Sequence, residues 1–311
     1  MALKVSKRSD ISSFIVMDVM RQANELEAQG QAIYHMEVGQ PGTPAPKSAL
    51  DAVSREMAND KLGYTLALGR EDLRVSISNM YAERYGKQIP ASRIVITTGS
   101  SSGFILSFLA AFDVGDKVAL ASPGYPAYRN ILKALGIQVV DILADLEDGF
   151  QPTPEKLDEA ITKHGKLDGL IIASPSNPCG SMLGESQFDA LTAYCQQNSI
   201  RMISDEIYHG VGFGKKEFTA ANNPDAIVVN SFSKYYSMTG WRIGWLVVPE
   251  DLLRPMECLA QNLFICPPHV SQVAALGALS AAPELDQHIQ VYSKNRGLVL
   301  GALAKAGIEK I

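Results

Sequence analysis

Arg93-Ile94-Val95-Ile96-Thr97-Thr98-Gly99-Ser100-Ser101-Ser102-Gly103-Phe104 decides the fold. The apolar run reads as a strand over 93–98 that is buried on both faces, and the small residues after it open a helix over 104–112. Strand, glycine-rich turn and helix together make the first unit of a parallel α/β sheet. The same rhythm recurs in Val118-Ala119-Leu120, Gln138-Val139-Val140, Leu170-Ile171-Ile172, Arg201-Met202-Ile203, Ile227-Val228-Val229 and Gly244-Trp245-Leu246-Val247-Val248, with helical stretches between most of them. The expected architecture is α/β: a mostly parallel seven-stranded sheet with helices on both faces.

Working outward, Ser12 and Ser13 are expected to cap an amphipathic helix carrying Phe14, Met17, Met20, Ala23 and Leu26, with Gly30 as its stop. A short extended piece follows over 33–39. Gln40-Pro41-Gly42-Thr43-Pro44-Ala45-Pro46 is a loop because its prolines lack amide donors. Helices are expected over 46–59 and 69–85, with Gly63-Tyr64 in the connection. Beyond Pro249 the chain reads as helix, broken at Pro267-Pro268 and near Pro283, and 307–311 resembles the entry to a further strand. The expected domains are an N-terminal helix and loop over 1–45 that contributes to a small domain, a large domain over 46–284, and the start of the small domain over 285–311.

The chain has 311 residues, of which 46% are hydrophobic and 20% charged, so it can bury a large core. A formal net charge of −5 without a block of like charge argues against nucleic acid and anionic membrane surfaces as partners. No run approaches the roughly 18 to 20 apolar residues of a membrane-spanning helix. Cys179, Cys195, Cys258 and Cys266 form no C-x-x-C pair, and the start lacks a signal-like apolar stretch, which points to a reducing cytoplasm.

Two patterns are decoys. Gly210-Val211-Gly212-Phe213-Gly214-Lys215-Lys216 has the wrong glycine spacing for a phosphate loop. Asp205-Glu206-Ile207-Tyr208-His209 resembles a zinc-binding helix but begins with Asp, and His35, His164, His269 and His288 show no ligand spacing, so no metal site is expected.

Four strand ends carry chemistry. Gly99-Ser100-Ser101 opens a helix whose N-terminus favours an anion. Asn177 lies just past one strand and Asp205 at the end of the next. Lys234 and Arg242 stand in Ser231-Phe232-Ser233-Lys234-Tyr235-Tyr236-Ser237-Met238-Thr239-Gly240-Trp241-Arg242, an otherwise apolar and hydroxyl-rich stretch where buried cations need an anionic partner. Open α/β sheets place ligands at this carboxyl edge.

Asn177-Pro178-Cys179-Gly180, Asp205-Glu206-Ile207-Tyr208 and Ser231-x-Ser233-Lys234 through Arg242 resemble the signatures of class I/II aminotransferases, fold-type I enzymes that use pyridoxal 5′-phosphate (PLP). The resemblance begins at Val38-Gly39-Gln40-Pro41 and the N-terminal helix and covers nearly the whole chain. It implies that Lys234 forms a Schiff base with PLP and later shuttles a proton. It also implies that Asp205 keeps the pyridine nitrogen protonated, and that Tyr208 and Asn177 donate to the phenolic oxygen. Arg242 would grip the phosphate with Ser231 and the amides at Gly99, Ser100 and Ser101, with Ser233 a weaker candidate. Tyr125 matches the aromatic that stacks on the ring, and it is placed with Asn177 and Gly39 at the substrate. Tyr64 matches the tyrosine that crosses from a neighbouring subunit to the phosphate, which implies a homodimer.

Family members usually continue past the position of Ile311 to an arginine that clamps the substrate carboxylate. Arg296 does not match that position. The expectation is therefore an incomplete small domain, with apolar surface exposed on the first and last helices. The implied activity is ping-pong transfer of an amino group from an L-amino acid to a 2-oxo acid. A PLP-dependent lyase or decarboxylase and a noncatalytic PLP-binding protein are the alternatives. Phe14, Ile15 and Tyr125 hint at a neutral substrate.

Overall fold

The computed structural model describes residues 3–308. All seven expected strands form: β1 (Ile94–Thr97), β2 (Lys117–Ser122), β3 (Gln138–Leu143), β4 (Gly169–Ala173), β5 (Arg201–Asp205), β6 (Ile227–Ser231) and β7 (Gly244–Val247). They make one sheet in the order β1-β7-β6-β5-β4-β2-β3. β7 alone runs antiparallel, to β1 on one side and β6 on the other. The reason is the connection: between β6 and β7 the chain makes only a 3₁₀ turn at Thr239–Trp241, and without a crossover helix the return strand pairs antiparallel.

Both faces of the sheet are dry, and successive side chains divide between them. Ile94, Ile96, Trp245 and Val247 join a core with Leu73, Ile77 and Tyr81 of α3 (Glu71–Tyr85). Val95 and Leu246 point the other way, to Phe104 and Phe108 of α4 (Gly99–Ala111). Continuous β-branched runs are the consequence of burial on two sides, with each fully buried side chain contributing about 1.5–3 kcal/mol.

The remaining helices are α1 (Ile15–Ala28), α2 (Lys47–Asn59), α5 (Pro126–Leu135), α6 (Pro154–His164), α7 (Glu185–Gln197), α8 (Glu250–Leu263), α9 (His269–Ala278) and α10 (Ala282–Lys305). Among the described residues none is long and apolar enough to cross a membrane.

Three local expectations are corrected. Phe14, not Ser12 or Ser13, occupies the N-cap of α1, and no side chain caps it. Residues 33–39, expected as a short extended piece, join neither helix nor sheet, and Gln40 N–H donates to the Val38 carbonyl at 2.9 Å. Arg93 and Thr98 fall outside β1, Arg93 closing a 3₁₀ turn and Thr98 capping α4. α4 starts at Gly99, before the expected helix start at 104, since a glycine at φ +74 turns the chain directly out of the strand. Of the expected strand entry over 307–311, Gly307 ends α10 in a left-handed conformation, and 309–311 lie outside the described residues. The first and last helices expose Ile15, Met17, Val291, Leu298 and Val299, and their only buried residues are Ala23 and Leu285.

Candidate active site

The reversal of β7 assembles the site. Its first residue, Gly244, pairs with Thr97 at the end of β1 and with Ser231 at the end of β6. Arg242, two residues earlier, therefore reaches the edge where β1, β6, β5 and β4 deliver Gly99, Lys234, Asp205 and Asn177. A Cβ built on Gly99 would lie 2.4 Å from Arg242 Nη2, so the guanidinium rests directly over the start of α4. Gly244 is confined in the same way, its Cβ position being 2.7 Å from the Asn230 carbonyl oxygen and 3.2 Å from Ser100 N. Arg242 adopts φ +50 and donates through Nη1 to the Thr239 carbonyl, 2.9 Å. First-turn helix N–H groups have no intrahelical acceptor, and with the guanidinium they make a cradle for an anion. Ser231 and Ser233 are buried and turned inward: Ser231 Oγ accepts from Ser233 N–H at 3.0 Å and lies 2.8 Å from Ser233 Oγ.

Asp205 is 5% exposed. One carboxylate oxygen accepts from Ile207 N–H at 3.0 Å and the other from the Tyr128 hydroxyl. Burial nevertheless lifts its pKa to about 6, against the lowering effects of Tyr128, Ile207 N–H and Lys234. A carboxyl held this way gains by meeting a cation. Lys234 is half-buried, and desolvation lowers the basicity of its amine, opposed by Asp205 and aided by Arg242. The two side chains thus act on each other's proton equilibria. Lys234 Nζ lies 5.6 Å from the centre of the Tyr208 ring and donates to the Gly39 carbonyl at 2.5 Å. The Gly39 loop is held there by Thr43, whose hydroxyl is 2.7 Å from that of Ser237.

Asn177 Nδ2 donates to the Tyr208 hydroxyl at 3.3 Å, so the two residues sit side by side. Tyr125 packs edge-on against Phe14 at 5.7 Å and Tyr128 at 5.2 Å. A cavity of about 260 Å³ lies beside them, lined in part by Tyr125, Tyr128, Asn177 and Gln151. A larger cavity, about 660 Å³ between Arg84, Phe188 and Asn223, is lined by none of these site residues. Tyr64 is 85% exposed, and it lines a cavity with Thr98 and His269.

Sequence reasoning missed Tyr128. It stands three residues after Tyr125, the N-cap of α5, and the two rings pack edge-on. It also missed that Glu56, Asp60 and His269 converge, with one ligand atom from each within 4.8 Å of the others. Arg70 already occupies that cluster, 2.8 Å from His269 Nε2 and 3.5 Å from Glu56, and His269 Nδ1 is 3.0 Å from the Gly63 carbonyl. A resident guanidinium there disfavours a metal cation. The glycine-rich 210–214 segment is a turn, closed by Gly210 N–H donating to Glu217 at 2.7 Å. Arg296 stacks over Phe213, with 5.5 Å between the guanidinium carbon and the ring centre.

A sheet that collects an amine, an acid and an anion cradle on one edge places the protein among the fold-type I PLP enzymes. The profile of aminotransferase class I and II matches residues 33–311, and the chain belongs to that family. It is 43% identical to a protein of Mycobacterium tuberculosis named valine–pyruvate aminotransferase, over 99% of this chain and 80% of that one. A crystal structure of an aminotransferase from M. tuberculosis superposes with a TM-score of 0.95 at 42% identity, covering 99% of this chain and 80% of that one. Aspartate aminotransferase from Thermus thermophilus with maleate gives 0.93 at 26% identity, covering 98% and 81%. The chain is a transaminase by family, and the family works through PLP.

Proposed function

We propose that this chain binds PLP through Lys234 and moves the amino group of a neutral L-amino acid to a 2-oxo acid by a ping-pong mechanism. The observation that carries the proposal is the gathering of Lys234, Asp205 and Tyr208 at one sheet edge, with Lys234 Nζ 5.6 Å from the Tyr208 ring and the Gly99–Arg242 cradle on the same edge. The donor set fits the cofactor: a helix N-terminus whose Gly99 lets the Arg242 guanidinium lie beside it for its phosphate, a buried acid for its ring nitrogen, and an amine for its aldehyde. PLP supplies, when bound, an aldehyde carbon that captures amines and a ring that withdraws electrons.

The residues do the rest. Lys234, its basicity lowered by burial, gives up its proton more readily than an exposed lysine. Asp205 stabilises positive charge at the ring nitrogen. Asn177 and Tyr208 hold the phenolic oxygen, and Arg242 with the amides of Ser100 and Ser101 holds the phosphate. Tyr125 covers the ring. Phe14, edge-on to Tyr125, adds an apolar wall that suits an uncharged side chain. The Gly39 loop is available to the substrate carboxylate. Tyr64, exposed here, is assigned to the phosphate of a second copy in a homodimer, and the enzyme to the cytoplasm. The division into 1–45, 46–284 and 285–311 belongs to the same proposal, supported by how little α1 and α10 bury.

The test is a panel of amino donors assayed with pyruvate and with 2-oxoglutarate. Amine transfer from valine or another aliphatic donor to pyruvate is the expected result. Release of ammonia without an acceptor would replace the proposal with a lyase, and PLP uptake without turnover would replace it with a binding role. The cradle has its own test in Gly99→Ala, which adds a methyl group 2.4 Å from Arg242 Nη2 at a left-handed backbone position. Loss of one charged phosphate contact, about 1.5–3 kcal/mol, should raise the PLP dissociation constant by about tenfold or more. Wild-type affinity in equilibrium dialysis would refute the cradle.

A further inference from the structure

Resting on the PLP proposal above, we propose that His209 is a positioning residue: it ties the loop bearing Asn177 to the turn bearing Asp205 and Tyr208, and so sets the spacing of the two donors at the cofactor's phenolic oxygen.

The β4–β5 ladder ends at the pair Ala173 and Asp205. Both functional segments begin just beyond it, 174–180 on one side and 206–209 on the other, where ladder hydrogen bonds no longer hold them together. His209 supplies the next tie. Its Nε2 is 2.9 Å from the Ser174 carbonyl and its Nδ1 is 2.7 Å from the Tyr85 hydroxyl. A carbonyl only accepts, so Nε2 carries the proton, and Nδ1 then accepts from Tyr85 O–H. Side chains facing the imidazole are Tyr85 and Arg84 from α3 and Glu206 from its own turn, the last at 3.6 Å. Glu206 is engaged elsewhere, accepting from Ser204, Thr219 and Ala220 N–H. Burial, with Arg84 beside it, pushes the His209 pKa down to about 3, which keeps one N–H and one lone pair on the ring at neutral pH.

The rest of the Asn177 loop is tied to itself and to Gln151, whose Nε2 donates to the Ser181 carbonyl at 3.3 Å. Ser174 Oγ accepts from Leu183 N–H at 3.0 Å, and Ser176 N–H donates to the Ser181 carbonyl at 3.0 Å. Neither bond fixes the loop relative to Tyr208. The side chains that do so are His209, through Ser174, and Asn177 itself, through the 3.3 Å contact with Tyr208. His209 is 3% exposed and reaches no part of the cleft, so it acts through its neighbours. The pattern Asp205-Glu206-Ile207-Tyr208-His209 thus has a role other than metal binding.

Two substitutions separate the two ring nitrogens. In His209→Gln the terminal amide falls near the place of Nε2 and can still donate to Ser174; in His209→Asn it falls near Nδ1 and leaves Ser174 without its donor. Wild-type uptake of PLP, followed by its visible absorbance, first establishes the underlying proposal independently of either variant. For His209→Asn, loss of one positioning hydrogen bond should raise the PLP dissociation constant by about tenfold. It should also move the midpoint of the bound cofactor's absorbance titration to higher pH, because weaker donation to the phenolic oxygen leaves more negative charge there to retain a proton. His209→Gln should stay near wild type in both. Wild-type behaviour of His209→Asn, or an equal loss in both variants that follows the melting temperature of the cofactor-free proteins, would overturn the assignment. If His209→Asn does not fold, His209→Ala takes its place: a raised dissociation constant and midpoint with His209→Gln near wild type support the tie, and wild-type values in His209→Ala remove it.

Discussion

Lys234→Ala is expected to lower transamination by at least about 10⁴-fold, the upper range for removing one proton-transfer group, with loss of the covalent anchor added to it. The position is unusual for a lysine. It is half-buried, its charge is disfavoured by desolvation and by Arg242, and Asp205 supplies the opposing attraction. Such an amine is poised to switch between donor and acceptor. Lys234→Arg is expected to fail as completely, because guanidinium does not release its proton in the working pH range. Borohydride treatment of the wild type should fix the cofactor to a peptide containing Lys234, and that label should vanish in both variants while the phosphate cradle retains some PLP. Turnover within about a hundredfold of wild type in Lys234→Ala would mean that the chemistry lies elsewhere.

Asp205→Asn is expected to lower turnover by about 10³-fold, roughly 4 kcal/mol, since a buried charge aimed at developing charge is worth more than a neutral dipole in the same place. The same change should stabilise the cofactor-free protein. Folding raises the pKa of Asp205 from 3.8 to about 6, so its favourable contribution is complete below 3.8 and is lost as pH rises through about 6. At pH 7 the buried carboxylate costs on the order of 3 kcal/mol, and Asn, whose Oδ1 can accept from Ile207 N–H while its Nδ2 donates to the Tyr128 hydroxyl oxygen, removes that cost. Melting curves of cofactor-free wild type and variant should coincide near pH 3.5 and separate at pH 7 with the variant higher. A variant that is less stable at pH 7, or as active as wild type, would refute this account of Asp205. Stability sacrificed at a site that needs a charge is the expected trade in an active centre.

Much of this was legible before folding. The strands showed themselves because a sheet covered on both faces demands unbroken apolar runs, and Ile94-Val95-Ile96 or Ile227-Val228-Val229 leaves little else to read. Asn177, Asp205 and Lys234 were visible because each directly follows or closes such a run. Ser12 and Ser13 misled because capping depends on where the first helical turn closes, which packing of Phe14 against Tyr125 shifts. Tyr128 and His209 were hidden for another reason: tyrosine and histidine beside motif residues carry no pattern of their own until a carboxylate or a carbonyl from a distant segment arrives.

Residue order alone therefore determined the seven strands, their helical connections and the chemical types gathered at their ends, since periodicity and turn chemistry are local properties of the chain. Only the tertiary structure decided that β7 reverses and carries Arg242 over Gly99, that Tyr128 holds Asp205, that the Gly39 carbonyl meets Lys234, and that His209 binds the Asn177 loop. Most of these contacts join segments tens to nearly two hundred positions apart, and their distances follow from how layers pack, which no local pattern encodes.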